Sequence, residues 1–260
     1  MSSELKTGTF WEHLEVLRWV ILRSLAVTVV FGVVAFCLKE WLFAVVLAPR
    51  TSDFITFRLL GVEPFSVHLM NTGLTEQFMT HMRVALYAGL LCAAPYIIYE
   101  LFRFVSPGLY AKERQTGRWV VGAGYVMFMM GTLLNYLLIF PLTVRFLGTY
   151  QVSPDVDNML TLQSYIDTLL SMSLVMGVIF ELPVVCAILG RMGFLNGSVM
   201  SRYRRHAIVA ILIVAAIITP TTDIFTLCIV SLPIWLLYEL SIWVVPKGND
   251  TIKVCKDIHK

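Results

Sequence analysis

The sequence predicts an all-α protein that crosses a membrane six times. Three observations carry that expectation. The chain is 58% hydrophobic and only 14% charged, with a mean hydropathy of +0.77, a smaller polar share than a soluble domain of this size carries. Its apolar residues fall into blocks long enough to cross a hydrocarbon core, which takes roughly 20 helical residues for about 30 Å. The cations gather at alternate breaks between those blocks, as the positive-inside rule describes. The whole of 1–260 therefore reads as one integral membrane domain.

The amino-terminal segment, 1–18, precedes the first block. It has no basic start leading into an apolar stretch and carries Glu4, Glu12 and Glu15, so it does not read as a cleavable signal, and the first span is expected to direct its own insertion. That span runs from Trp19 to Leu38 and contains Arg23. The second runs from Val84 to Phe104 with Pro95 inside, and the third from Trp119 to Phe140. The fourth, Thr168 to Leu189, contains Glu181 and Pro183. The fifth, "AIVAILIVAAIIT" (207–219), has thirteen residues before Pro220, about 20 Å of helix. Such a helix either thins the bilayer and leans on neighbours, or starts earlier, at Tyr203, and snorkels its arginines. The sixth runs from Ile224 to Val245, broken by Pro233, and "TPTTD" joins it to the fifth so tightly that the two must be adjacent.

Six spans put both termini on one side. With that side cytoplasmic, the inside segments are 1–18, 105–118, 190–206 and 246–260. They hold thirteen Lys and Arg outside the spans, against five (Lys39, Arg50, Arg58, Arg83, Arg145) in the outside segments. The outside stretches 39–83 and 141–167 are long. Within them "KEWLFAVVLAP" and "LTLQSYIDTLL" read as amphipathic helices lying near the interface. No internal repeat is visible, which argues against transporters built from inverted repeats.

The charge balance of +3 gives no reason to invoke nucleic acid. Five cysteines form no CxxC pair and four lie in apolar runs, so they read as small buried hydrophobes rather than a disulfide or metal site. There is no HExxH, Walker loop, GxSxG or His/Cys cluster, so neither an enzyme nor a cofactor is expected. Three glutamates lie in or at the edges of spans. Glu100 and Glu239 read as sitting near the inner headgroups, paired with Arg103 or Lys247. Glu181 lies deeper, two residues before Pro183, and reads either as filling the polar pocket that proline opens or as a functional acid.

Two charged stretches remain at the inner face. "FWEHLEVLRW" carries Glu12 and Glu15, and "FVSPGLYAKERQTGR" sets Glu113 among Lys112, Arg114 and Arg118 after a break at Pro107-Gly108. Each fits a solvated helix end. Together they also fit an acidic site for a guanidinium partner, since arginine binds carboxylates in a bidentate way and lysine does not.

These stretches carry a resemblance. The sequence resembles the TatC family, the polytopic core of the twin-arginine protein translocase, over nearly its whole length. The landmarks are "HLEVLR" (13–18), "AAPYIIYELFRFVSPGLYAKER" (93–114), "FELPV" (180–184), "SRYRRHAIV" (201–209), "ITPTTD" (218–223) and "LPIWLLYE" (232–239), in family order. The resemblance implies six transmembrane helices in a glove-like shape with cytoplasmic termini, in a bacterial inner membrane. It implies a receptor for twin-arginine signal peptides of folded precursors, working with small single-span subunits of the TatA/TatB type, with self-association and membrane lipid, and driven by the proton motive force. By the same resemblance, Glu113 matches the signal-binding glutamate, with Arg18, Phe104, Pro107, Leu109, Tyr110 and Arg114 in its surroundings. Glu181 matches an acid on the concave side. Thr219, Thr222, Asp223 and Thr226 fall where partner helices would dock. The chain departs from the family in three places. Val16 stands where "HLxELR" has its acid, leaving Glu12 or Glu15 for that role; "TPTTD" has one residue more than the usual hairpin; and Leu227 replaces a glutamine. A proton-coupled small-solute transporter using Glu181 is the rival reading, and a membrane-embedded enzyme a second.

Overall fold

The computed structural model describes residues 10–61, 69–105, 117–150, 160–219 and 223–246. Five of its helical stretches are long and apolar enough to cross a membrane: Leu14–Cys37, Glu76–Phe104, Val120–Thr149, Leu162–Arg191 and Ile224–Val244. Their outer faces bear Val30, Val33, Leu86, Val126, Val178 and Leu236, all exposed. A soluble protein would bury such a surface; a bilayer solvates it.

The elements in order are α1 (Phe10–Cys37), α2 (Lys39–Val46), α3 (Ile55–Leu60), β1 (Leu69–Met70), α4 (Glu76–Val105) and α5 (Gly117–Leu134). A π-helical turn (Asn135–Ile139) leads into α6 (Phe140–Thr149). Then come β2 (Leu160–Thr161), α7 (Leu162–Phe180), α8 (Leu182–Arg191), α9 (Gly197–Arg202), α10 (Arg204–Ile218) and α11 (Ile224–Val244). The all-α class holds; the strands are a two-residue parallel pair, Leu69 beside Leu160 and Met70 beside Thr161.

Lipid gives packed helices little hydrophobic reason to associate, so close backbone approach through small residues matters more. Two crossings use it. On α1 and α4, Gly89 lies so close that a Cβ there would fall 2.5 Å from the Gly32 nitrogen and 2.6 Å from the Thr28 carbonyl oxygen. On α5 and α7, a Cβ at Gly131 would fall 2.6 Å from the Met176 carbonyl oxygen, and Gly177 faces Phe128 and Thr132 in return. A central apolar cluster of Ile139, Met172, Met176, Val230, Ile234 and Ala215 joins α7, α10 and α11.

Several boundaries differ from the sequence reading. The third span does not stop at Phe140: the helix continues through α6 to Thr149. Pro141 sits in the first turn of α6, just past the π-turn, where a missing N–H and a fixed φ are tolerated. "LTLQSYIDTLL" is not a separate interfacial helix but the start of α7, which runs on into the membrane. "KEWLFAVVLAP" does form a short helix, α2, with Leu42 and Val46 buried. The fifth apolar run forms α10, fifteen residues beginning at Arg204 with Tyr203 as its cap, about 22 Å long. It follows the reading in which the arginines join the helix, and it remains shorter than the other spans. Cys37, Cys92 and Cys228 are exposed on the outer surface rather than buried, and Cys186 is partly buried.

The two ends of the bundle follow from the chain direction. The start of α1, the end of α4, the end of α8, α9 and the end of α11 share one end, here the amino-terminal end. At the far end Glu76 lies buried, 7% exposed. It accepts hydrogen bonds from the backbone N–H groups of Thr72 (2.8 Å), Gly73 (2.9 Å) and Gln163 (2.8 Å) and from the Thr72 hydroxyl (3.2 Å). One carboxylate thus joins the approach to α4 to the start of α7. Tyr136 and Tyr165 donate to the carbonyls of Val45 and Val46, and Thr56 to that of Leu137, which ties α2 and α3 across the same end.

Candidate functional site

At the amino-terminal end, antiparallel packing of α1 on α4 brings the first charged stretch to the end of α4, from which the second continues in sequence. The segment 12–18 opens α1 and residue 104 closes α4. Glu15 and Arg18 are exposed on α1, as is Val16. Phe104 is partly buried. The side chain of Glu12 and the loop residues Glu113 and Arg114, with Pro107, Leu109 and Tyr110, lie outside the described residues, as does Lys247.

Beneath these stretches is a buried acid whose partners the sequence reading gave only in part. Glu100 is 3% exposed. Its Oε1 lies 4.0 Å from Arg23 Nη1 and 3.9 Å from Arg103 Nη1, and accepts a hydrogen bond from the Tyr96 hydroxyl at 3.1 Å. Arg103 had been expected; Arg23, which comes from α1, had not. Both guanidinium groups reach toward solvent while the carboxylate stays inside, so α1 and α4 are cross-linked one to two turns below the ends that carry Arg18 and Phe104. Glu239 pairs with Arg204, which the sequence reading did not name: Nη2 donates to Oε2 at 2.8 Å.

A second site lies at mid-bundle. Helices α7 and α8 meet at Glu181, which caps both, with Pro183 in the first turn of α8. The carboxylate borders a cavity of about 390 Å³ between α4, α5, α7 and α8, lined also by Leu90, Ala94, Ile98, Phe128 and Val185. Among the described residues, Glu181 is the only ionisable group on that lining. Gly124 makes the room: a Cβ there would come within 3.1 Å of Glu181 Oε2. Among the described residues, Oε1 is buried without a hydrogen-bond partner. An acid needs a reason to be there, and no internal contact supplies one.

The third group of expected residues is at the α10–α11 hairpin. Thr219 is buried and its hydroxyl donates to the Ala215 carbonyl (3.0 Å), closing α10. Asp223 caps α11 by accepting from the Thr226 N–H (2.7 Å). Thr226 is fully buried, 0% exposed. Thr222 lies outside the described residues. The outward surface here is apolar: Ile213, Val214 and Ile217 on α10 and Leu232, Trp235 and Leu236 on α11.

The sequence reading missed a buried polar contact at the π-turn, where Asn135 Nδ2 donates to Ser173 Oγ at 2.7 Å. A lone asparagine in an apolar run is a signal for such a contact. Among the described residues no group of three His, Cys, Asp or Glu gathers as metal ligands.

The family model for "Sec-independent protein translocase protein (TatC)" matches residues 12–233. The chain belongs to the TatC family. TatC of Deinococcus radiodurans is 35% identical over 241 residues, 92% of this chain and 86% of its own length. TatC of Desulforapulum autotrophicum is 34% identical over 242 residues, 93% and 86%. Two solved structures, described as the twin arginine translocase receptor TatC and as the same receptor in DDM, superpose with TM-scores of 0.74 and 0.76 at 27% and 26% identity. They cover 89% and 90% of this chain and 97% and 99% of theirs. The polytopic all-α fold is therefore the TatC fold, and the chain is a multi-pass inner-membrane subunit of the twin-arginine translocase, a transport component.

Proposed function

We propose that this chain is the signal-peptide receptor of the twin-arginine translocase, with six spans and both termini in the cytoplasm. The observation that carries the reading is the convergence of 12–18 and the close of α4 at one end of the bundle, held together by Glu100 between Arg23 and Arg103. The stretch with Glu113 and Arg114 follows α4 in sequence, and the end of α4 lies beside the segment of α1 that carries Glu15 and Arg18. An arginine pair would meet a carboxylate at the membrane edge, with Glu15 or Glu12 as the second acid and Phe104 as an apolar neighbour. Segments 105–118, 190–206 and 246–260 would lie on the same side as 1–18, and α10 would serve as the short fifth span. Folded precursors bearing twin-arginine signals are then the cargo, the proton motive force the drive, and single-span TatA/TatB-type subunits the partners. Thr219, Asp223 and Thr226 flank the hairpin beside which such a helix would dock, with Thr222 between them in sequence.

No bond is made or broken in this mechanism; it consists of recognition followed by assembly. Photo-crosslinking from position 113 to a twin-arginine precursor tests it. A crosslink that vanishes when the precursor carries Lys-Lys supports the receptor reading, and its absence from inserted, folded protein removes the loop from the site.

Glu181 would act after recognition. Its unpartnered Oε1 in an apolar cavity suits a polar group brought by a docking helix. Glu181→Gln should leave precursor binding intact and slow transport severalfold in inverted vesicles; normal transport would make Glu181 a structural residue. A carrier of polar solutes is the weaker reading, because the other residues on that lining are apolar.

A further inference from the structure

A second cavity lies at the amino-terminal end, apart from the one that Glu181 borders. It has a volume of about 620 Å³ and is lined by Gly197, Ser198, Ser201, Arg204, Ile242 and Trp243. We propose that this cleft binds the phosphate of an anionic phospholipid headgroup.

The chemistry is arranged in two halves. Ser198 and Ser201 stand three residues apart on α9, so their hydroxyls share a face, and Arg204 follows after the bend at Tyr203. The Ser198 hydroxyl donates to Asn196 Oδ1 (2.9 Å), so its hydrogen is committed. The Ser201 hydroxyl makes no hydrogen bond among the described residues. Arg204 spends one N–H on Glu239 at 2.8 Å, which orients the guanidinium and leaves its other donors for an anion; a guanidinium has five in a planar fork. Arg202 and Arg205 flank it, exposed and without an ion pair among the described residues. Three arginines against one glutamate leave this corner cationic.

The opposite wall is apolar and points to a lipid. Ile242 and Trp243 come from the last turn of α11, and Trp243 is 83% exposed. A tryptophan at a helix end suits the headgroup level, where one edge of the ring is wet and the other meets acyl chains. Gly197 lets the two walls approach: a Cβ there would fall 2.9 Å from the Val245 carbonyl oxygen. By the charge count this end faces the cytoplasm, where anionic lipids are attracted to basic clusters. A soluble phosphate would use the serine and arginine but would gain nothing from Ile242, Trp243 or the exposed Val199 and Leu240 beside them.

The experiment is native mass spectrometry of the full chain released from membranes of phosphatidylglycerol and phosphatidylcholine in equal amounts. One phosphatidylglycerol should be retained preferentially. Arg204→Gln is the direct variant but strands Glu239, so the decisive one is Ser201→Asp. It keeps the Arg204–Glu239 pair and sets a carboxylate against the phosphate. Retention should fall about tenfold or more, since hydrogen bonds to charged groups and like-charge contact both change. Melting in phosphatidylcholine should not move, which separates lost binding from lost folding. Inorganic phosphate at millimolar concentration should fail to displace the lipid; full displacement would assign the cleft to a soluble anion and overturn the lipid proposal. Equal retention of the two lipids, or a Ser201→Asp protein that keeps its phosphatidylglycerol, would overturn it as well.

Discussion

The far end of the bundle is braced by one acid with four donors, two tyrosines on carbonyls and a strand pair, drawn from α2, α4, the π-turn and α7. The amino-terminal end of the α1–α4 pair has a single buried acid, Glu100, with two arginines and a tyrosine. The candidate recognition residues Glu15, Arg18 and Phe104 all lie at the lightly braced end. The difference teaches a division of labour. Hydrogen bonds that satisfy irregular backbone hold the far end in one arrangement, because unpaired N–H and C=O groups are expensive near lipid. At the other end the cross-link through Glu100 keeps α1 and α4 in register beneath the candidate recognition residues.

The largest effect is expected where that register is set. Gly89→Leu would push a side chain into the Gly32 backbone and force α1 off α4. Overpacking of this kind costs about 1–3 kcal/mol and more when backbone must move, so folded yield and precursor binding should fall together. Gly122→Leu is the control, since no atom lies within 4 Å of a Cβ there. Equal behaviour of the two variants in size-exclusion and melting assays would show that the glycine contact does not hold the site together.

Glu113→Gln comes next. Hydrogen bonds to charged groups contribute about 1.5–3 kcal/mol, so affinity for a twin-arginine precursor in nanodiscs should drop roughly 10- to 150-fold. The loss should shrink at high salt, and melting should not change. Unchanged affinity in folded protein would sink the recognition role of this loop, and with it the functional half of the comparison.

Glu76→Gln reverses the pattern. It keeps the shape of the side chain but gives one of the two oxygens' places to a donor that would face the N–H groups of Thr72 and Gly73, or of Gln163. The melting temperature should fall by several degrees, by analogy with the loss of a well-satisfied buried acceptor, while precursor affinity stays within about twofold of the parent. A loss of affinity matching that of Glu113→Gln would mean that the two ends are coupled.

These expectations also mark what was legible in the sequence. The apolar blocks foretold the five long helices, because twenty apolar residues in a row have few other uses. The candidate stretches came from charge in an apolar chain and from family motifs, and the antiparallel α1–α4 pair puts the first of them beside the end of α4. What stayed hidden depends on long-range contact. "LTLQSYIDTLL" reads as interfacial in the sequence, yet Arg83 of α4 reaches its Asp167 and the helix runs through. The third apolar block reads as ending at Phe140, yet the π-turn carries the helix on, with Pro141 in the first turn of α6. Arg23 looked like an intrusion in the first span until Glu100 of α4 was found beside it. The polar residues among these were interpretable only with their partners: Arg23 lies 77 positions from Glu100, Asp167 84 from Arg83, and Asn135 38 from Ser173.

The smallest effect is expected at the most conspicuous ion pair. Arg83 Nη1 lies 2.5 and 2.7 Å from the two oxygens of Asp167, linking α4 to α7 at the braced end. Distance alone would make this the strongest tie there. Exposure argues otherwise, for the two side chains are 48% and 43% exposed. Exposed pairs gain little Coulomb energy, lose side-chain freedom and are screened by salt, and double-mutant cycles put them at about 0.2–1 kcal/mol. A cycle of Arg83→Gln, Asp167→Asn and the double variant, read by thermal melting, should therefore return a coupling near 0.5 kcal/mol that fades at high salt. The buried acid about two turns away should matter more than the visible bridge. A coupling above about 2 kcal/mol, unmoved by salt, would place the pair in a low-dielectric setting and would reassign the bracing of the far end from Glu76 to Arg83.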